Sequence, residues 1–224
     1  MIVYLHGFAS GPGSTKARGL SERFAALGVA LRSPDLTPGP EGFERSTPSS
    51  MLAVAEGVLS EARGPHALVG SSLGGWLAAL AASRRRDVER LVLLAPAFAL
   101  HERWSARLGP EGLARWRREG SEEVYHHASA RPRRIGWPFF EDAARLPPFP
   151  EVAVPTLVVA GRWDELVRLE DVESWVSRTR EARLVVVDDA HELVASLDRI
   201  FAEARDFLAP HGRRGEVGRD GRGP

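Results

Sequence analysis

The sequence predicts an α/β fold, a six-stranded parallel sheet flanked by helices, and three observations carry that prediction. Short β-branched or leucine-rich runs recur along the chain, helical patterns separate them, and one interval, residues 97–153, is far longer than an ordinary connection. The first two imply parallel strands joined by crossover helices. The third implies an inserted helical cap. With 224 residues and 43% hydrophobic side chains, the chain can bury one large core.

The first strand, residues 2–5, is an apolar run that breaks into a loop carrying Gly7, Gly11 and Gly13. Ser14 then caps a helix ending near Gly28, and residues 29–33 form the second strand. Thr47, with Pro48 at the first helical position, starts a helix running to about Ala62. The third strand spans 67–70 and the helix of residues 73–83 is small and apolar, as a helix packed on a sheet should be. Strand four is 91–95. In the cap, 102–108 and 112–118 have helical pattern, and Trp104, Trp116, Tyr125, Trp137, Phe139 and Phe140 should form its own core, with one or two lining an acyl pocket. Strands 156–160 and 184–187 and a helix from about Glu192 to Leu208 close the fold. The expected division is therefore a core of 1–96 and 154–208, a cap of 97–153 and a disordered glycine- and arginine-rich tail of 209–224.

Thirty basic and thirty acidic residues cancel, so no net field draws the protein to nucleic acid or an anionic membrane. A small-molecule partner is expected instead. The absence of cysteine excludes disulfides, thiolate catalysis and cysteine metal sites. No leader pattern precedes the first strand and no apolar run approaches a membrane span, so a cytoplasmic protein is expected. Lys16, the lone lysine, reads as compositional bias without bearing on function.

The chemistry lies at strand ends. Strand three ends in LVGSSLGGW, in which Gly70, Ser72 and Gly74 match G-x-S-x-G between a strand and a helix. A serine on such a strained turn forces its neighbours two before and two after into close contact, which glycine alone tolerates. Centring the motif on Ser71 would put Val69 and Leu73 at those places, so the nucleophile is Ser72. A serine hydroxyl needs a base, and the base needs a carboxylate. After strand five comes AGRWDELV with Asp164, and after strand six VVVDDAHELV with His191. Asp188 and Asp189 remain alternative acids, and Asp164 could instead cap a helix.

On the motifs LHGF, GSSLGG, GRWDELV and DDAHELV the sequence resembles an α/β-hydrolase, and among those it is similar to the small bacterial esterases of the YqiA type. These begin directly in an LHGF strand and lack the first two strands of the full fold. The resemblance covers about residues 1–208 and implies a triad of Ser72, Asp164 and His191, in the chain order of that fold. If the sheet has the hydrolase order, the first strand lies beside the third and the loop after it faces Ser72. The backbone N–H groups of Phe8 and Leu73 would then form an oxyanion hole. A phosphate cradle would need G-x-x-x-x-G-K-[ST], which the loop around Lys16 does not match.

The expected function is therefore hydrolysis of carboxylic esters of short or medium acyl chain through an acyl-enzyme, with no cofactor and no metal. Thioesterase or acyltransferase chemistry on the same triad, or a non-catalytic receptor on a hydrolase scaffold, are the alternatives. His6 should be a buried hydrogen-bonding residue beneath the loop. His126 and His127 lack a carboxylate pattern for metal binding, and Arg131, Arg133 and Arg134 read as a solvated surface run.

Overall fold

The computed structural model describes residues 1–39 and 41–209, so nearly all of the expected tail lies outside the described residues. The elements, in order, are β1 (Ile2–Leu5), α1 (Thr15–Ala25), β2 (Leu31–Arg32), α2 (Gly42–Arg45), α3 (Pro48–Ser60), β3 (His66–Ser71), α4 (Leu73–Arg84) and β4 (Val88–Leu94). There follow α5 (Leu100–Glu119), β5 (Ser121–His126), β6 (Arg131–Gly136), α6 (Trp137–Ala143), β7 (Thr156–Gly161), α7 (Leu169–Arg178), β8 (Ala182–Val187) and α8 (Leu197–Leu208).

Six strands form one sheet in the order β2-β1-β3-β4-β7-β8, all pairs parallel, so β1 does lie beside β3. Strands buried on both faces need apolar residues at every position, and alternate side chains go to different layers. Val3, Leu68, Leu91, Leu93 and Val158 join α3, α4 and α7 on one face. Tyr4, Val69, Val92, Leu94 and Val159 pack with α1 and α8 on the other. Helix α4 is buried from Leu73 to Ala82 on all sides, which explains its lack of polar residues.

Local signals set the helix starts. Ser14 accepts from the Ala17 N–H, and Thr47 forms a capping box with Ser50 ahead of Pro48. Three expectations need correction. The interval 97–153 is not purely helical: β5 and β6 pair as an antiparallel hairpin, and the surface run of Arg131, Arg133 and Arg134 lies on its second strand, with Arg131 and Arg134 exposed. Arg134 donates to the Ser121 hydroxyl across that hairpin, and Arg133 lies over the Phe43 ring. The two helical patterns there form α5, broken at Gly109 (φ 64°) with Pro110 after it. Lastly, α8 starts at Leu197, not near Glu192, because Leu193 takes a positive φ and the Asp189 carboxylate holds the Ser196 N–H ahead of the helix. Helix α7 has no counterpart among the expected elements, although Leu169, Val172 and Trp175 have helical spacing.

Tryptophan N–H groups fasten the 97–153 segment to the core. Trp76 of α4 donates to the Pro147 carbonyl and Trp175 of α7 to the Pro150 carbonyl, each at 2.9 Å, while Trp116 donates to Ile135 within the segment. Among the described residues no helix is long and apolar enough to cross a membrane.

Candidate active site

The turn between β3 and α4 puts Ser72 at φ 53°, ψ −118°, a conformation costly for a residue with a Cβ. It is held there from several sides: the Ser72 N–H donates to the Leu94 carbonyl, and the Ser72 carbonyl accepts from Gly75, Trp76 and Ala97. The reason for glycine on either side is direct. A Cβ at Gly70 would run into the Gly74 carbonyl, and one at Gly74 into the carbonyl of Leu5 on the neighbouring strand.

The loop after β7 and the loop after β8 meet over this turn. Arg162 N–H donates to Val187, and Trp163 N–H to Asp189. A Cβ at Gly161 would lie 2.5 Å from the Asp189 carbonyl, so the close approach of the two loops requires glycine there. This brings together the three side chains expected from the motifs. The Ser72 hydroxyl lies 2.9 Å from His191 Nε2, and His191 Nδ1 lies 2.8 Å from Asp164 Oδ2. The other Asp164 oxygen accepts from the Leu166 and Val167 N–H groups. Asp164 thus fixes its own loop with one oxygen and the imidazole with the other. An Nδ1–H donated to Asp164 leaves Nε2 as the acceptor facing Ser72.

Burial by itself would push the Asp164 carboxyl up. The hydrogen bonds from His191, Val167 and Leu166, with the adjacent imidazole charge, outweigh burial and hold it below the ordinary carboxylate value. The rival acids are engaged elsewhere. Asp188 pairs with Arg162 at the surface, and Asp189 accepts from Ala190 and Ser196.

Beside Ser72 runs the loop of residues 6–13. Gly7 lies so near that a Cβ would touch the Ser72 Cβ at 3.4 Å. The Phe8 ring packs against Phe43, Trp104 and Phe139 at centroid distances of 5.1–5.5 Å, so the side chain anchors its own amide. Neither the Phe8 N–H nor the Leu73 N–H has an acceptor among the described residues, and the latter is one of the free donors at the start of α4. His6 lies beneath: the Leu36 N–H donates to Nε2, so Nδ1–H donates to the Gly7 carbonyl. Burial lowers the His6 pKa and favours this neutral form.

Phe8, Ser72, Leu73 and His191 line a cleft of about 1750 Å³ whose walls include Leu100, Trp104, Val124, Phe149 and Val167. Of the aromatics expected to form the segment's own core with one or two lining a pocket, Trp116 is fully buried and Trp104 lines the cleft. His126 packs edge-on against Phe43 with Nδ1 at Ser129. No group of three or more metal-binding side chains converges among the described residues.

Two cleft residues escaped the sequence reading. One is Arg103, on the cleft wall. Lys16, set aside as compositional, lines the cleft and donates to the carbonyl of Glu192, next to His191. Burial draws its ammonium down from 10.5 to about 8, against the pull of Glu192, Asp189 and Asp164. Between these two values the unfolded chain holds a proton that the native one has lost, so stability rises with pH across that window. An NMR titration of this single lysine should give a midpoint of about 8, and Lys16→Met should abolish the rise in urea stability between pH 8 and 10.5. A midpoint near 10.5 would contradict the burial.

The model of an uncharacterised protein family, UPF0227, matches residues 1–209. No curated protein matches the chain. Among solved structures it is similar to alpha/beta hydrolase domain-containing protein 10 from mouse, at 24% identity over 92% of this chain and 88% of that one, with a TM-score of 0.78. It is similar also to Est1E from Butyrivibrio proteoclasticus (22% identity, 93% and 88% covered, TM-score 0.72). A third is the esterase Pf2001 of Pyrococcus furiosus (17% identity, 92% and 81% covered, TM-score 0.67). These likenesses show an α/β-hydrolase fold.

Proposed function

The chain belongs to the uncharacterised protein family UPF0227, and from that premise and the site geometry we propose that it is a serine hydrolase of carboxylic esters. One observation carries the reading: a serine hydroxyl, an imidazole and a buried carboxylate stand in hydrogen-bonded sequence at 2.9 and 2.8 Å beside two unengaged amides. The Pyrococcus furiosus protein that shares the fold is named an esterase, which supports the same chemistry.

In this reading the Ser72 oxygen attacks the ester carbonyl as His191 Nε2 takes its proton. The oxyanion forms against the Phe8 and Leu73 N–H groups, in the positive field at the start of α4. The C–O bond to the alcohol then breaks and His191 returns the proton to the leaving oxygen. Water, deprotonated by the same imidazole, attacks the acyl-serine and releases the acid, restoring Ser72. Asp164 holds the imidazole in the required tautomer and stabilises its charged form.

The apolar walls of the cleft suit short or medium acyl chains. A chain-length series of p-nitrophenyl esters, run beside acyl thioesters of equal length, tests the reading. Turnover of the esters is expected, with a maximum at short to medium length. Cleavage confined to thioesters would replace the ester assignment, and cleavage of neither would overturn it.

A further inference from the structure

We infer that Arg103 determines specificity by binding a carboxylate carried by the substrate, an inference that rests on the ester-hydrolase reading. Arg103 belongs to the first turn of α5, where its N–H donates to the Ala99 carbonyl, and it lines the same cleft as Ser72, Leu73 and His191. Its guanidinium makes no hydrogen bond or ion pair among the described residues, and Nη1 is shut off from solvent without a partner.

Among the described residues, no other arginine has a guanidinium nitrogen both buried and without a partner. Arg23, Arg85, Arg162 and Arg168 each hold a carboxylate. A guanidinium stays charged at any ordinary pH, so a desolvated donor without an acceptor weakens the fold unless something else supplies the counter-charge. Two of the nearby carboxylates are already engaged, and the third, Glu102, makes no ion pair with Arg103. Both oxygens of Asp171 accept from Arg168, and Asp164 accepts from His191 and two amides. Burial, opposed by the fields of Asp171 and Asp164, lowers the Arg103 pKa, as expected of a cation lacking its partner.

The planar fork of a guanidinium matches a carboxylate in two parallel hydrogen bonds. Elsewhere in the cleft the carboxylates of Glu102, Glu122 and Glu165 are offset by Lys16, Arg107 and Arg168, so the lining holds no surplus of positive charge for a doubly charged phosphate and a group with a single negative charge fits Arg103 better. The substrate class is thus a half-ester, in which one carboxyl is esterified and a second is free to meet Arg103 while the first meets Ser72.

The test compares p-nitrophenyl hemiglutarate with a neutral p-nitrophenyl ester of equal chain length. The wild type should favour the half-ester in kcat/KM. The ratio of the two kcat/KM values should fall roughly 10- to 100-fold in Arg103→Met, the loss expected for a charged hydrogen-bonding pair, and recover in part in Arg103→Lys. A merely structural role would lower both substrates together and leave the ratio in place, which would overturn the inference. So would a wild type that favours the neutral ester. Independently of turnover, glutarate should raise the melting temperature of Ser72→Ala protein and lose that effect in the Ser72→Ala/Arg103→Met double variant. No shift in either would sink the carboxylate site while leaving the esterase reading intact; cleavage of neither ester by the wild type would sink the esterase reading instead.

Discussion

Replacing Ser72 by alanine is expected to lower kcat by on the order of 10⁶ with the fold intact, the scale of losing a whole nucleophile–base unit. The Ser72 hydroxyl has one partner, His191 Nε2, and contributes nothing else to the turn. The turn itself depends on main-chain bonds to Leu94, Gly75, Trp76 and Ala97, which alanine keeps. The check is a pair of measurements: ester hydrolysis, which should vanish into background, and the thermal midpoint, which should barely move. Retention of more than about one per cent of kcat would place the nucleophile elsewhere.

Asp164→Asn should cost about 10⁴ in kcat. The asparagine oxygen can still accept from Leu166 and Val167, so the loop stays in place. Its NH₂ then faces His191 Nδ1, where a donor had been accepted before. The imidazole must place its proton on Nε2 and can no longer accept one from Ser72. Asp188→Asn should leave activity near wild type, because Asp188 holds only the exposed Arg162. Loss of activity in that variant with retention in Asp164→Asn would reverse the assignment. Stability supplies a second check. Because the native Asp164 carboxyl sits below its ordinary value, its contribution is complete above the unfolded value of about 3.9 and is lost as pH falls through the lower native one. Urea unfolding should therefore separate wild type from Asp164→Asn at pH 7 and bring them together in strong acid.

What could be read from the sequence follows from where physical constraint is concentrated. The strands of the parallel sheet are buried on both faces, so Val3, Leu68, Val92 and Val158 stand in uninterrupted apolar runs that show their position plainly. The Gly70–Gly74 spacing is legible because it reports two backbone clashes, Gly70 against the start of α4 and Gly74 against the neighbouring strand. The hairpin of β5 and β6 was not legible. Its residues, SEEVYH and RPRRIG, include five charged side chains and are largely half-exposed or exposed, and the pairing rests on main-chain bonds that leave no hydrophobic period. Lys16 and Arg103 escaped for another reason: a single cation has no pattern, and its meaning comes from neighbours far along the chain, Glu192 for one and the Ser72 cleft for the other.

The central claim is that His191, aligned by Asp164, makes the Ser72 oxygen reactive toward an acyl carbonyl. Treating the native protein with a fluorophosphonate and mapping the adduct by peptide mass spectrometry tests it most directly. One adduct is expected, on Ser72, lost when the protein is unfolded first and lost in His191→Ala. Native protein that stays unlabelled, or that carries the label on Ser71 or any other residue, would contradict it.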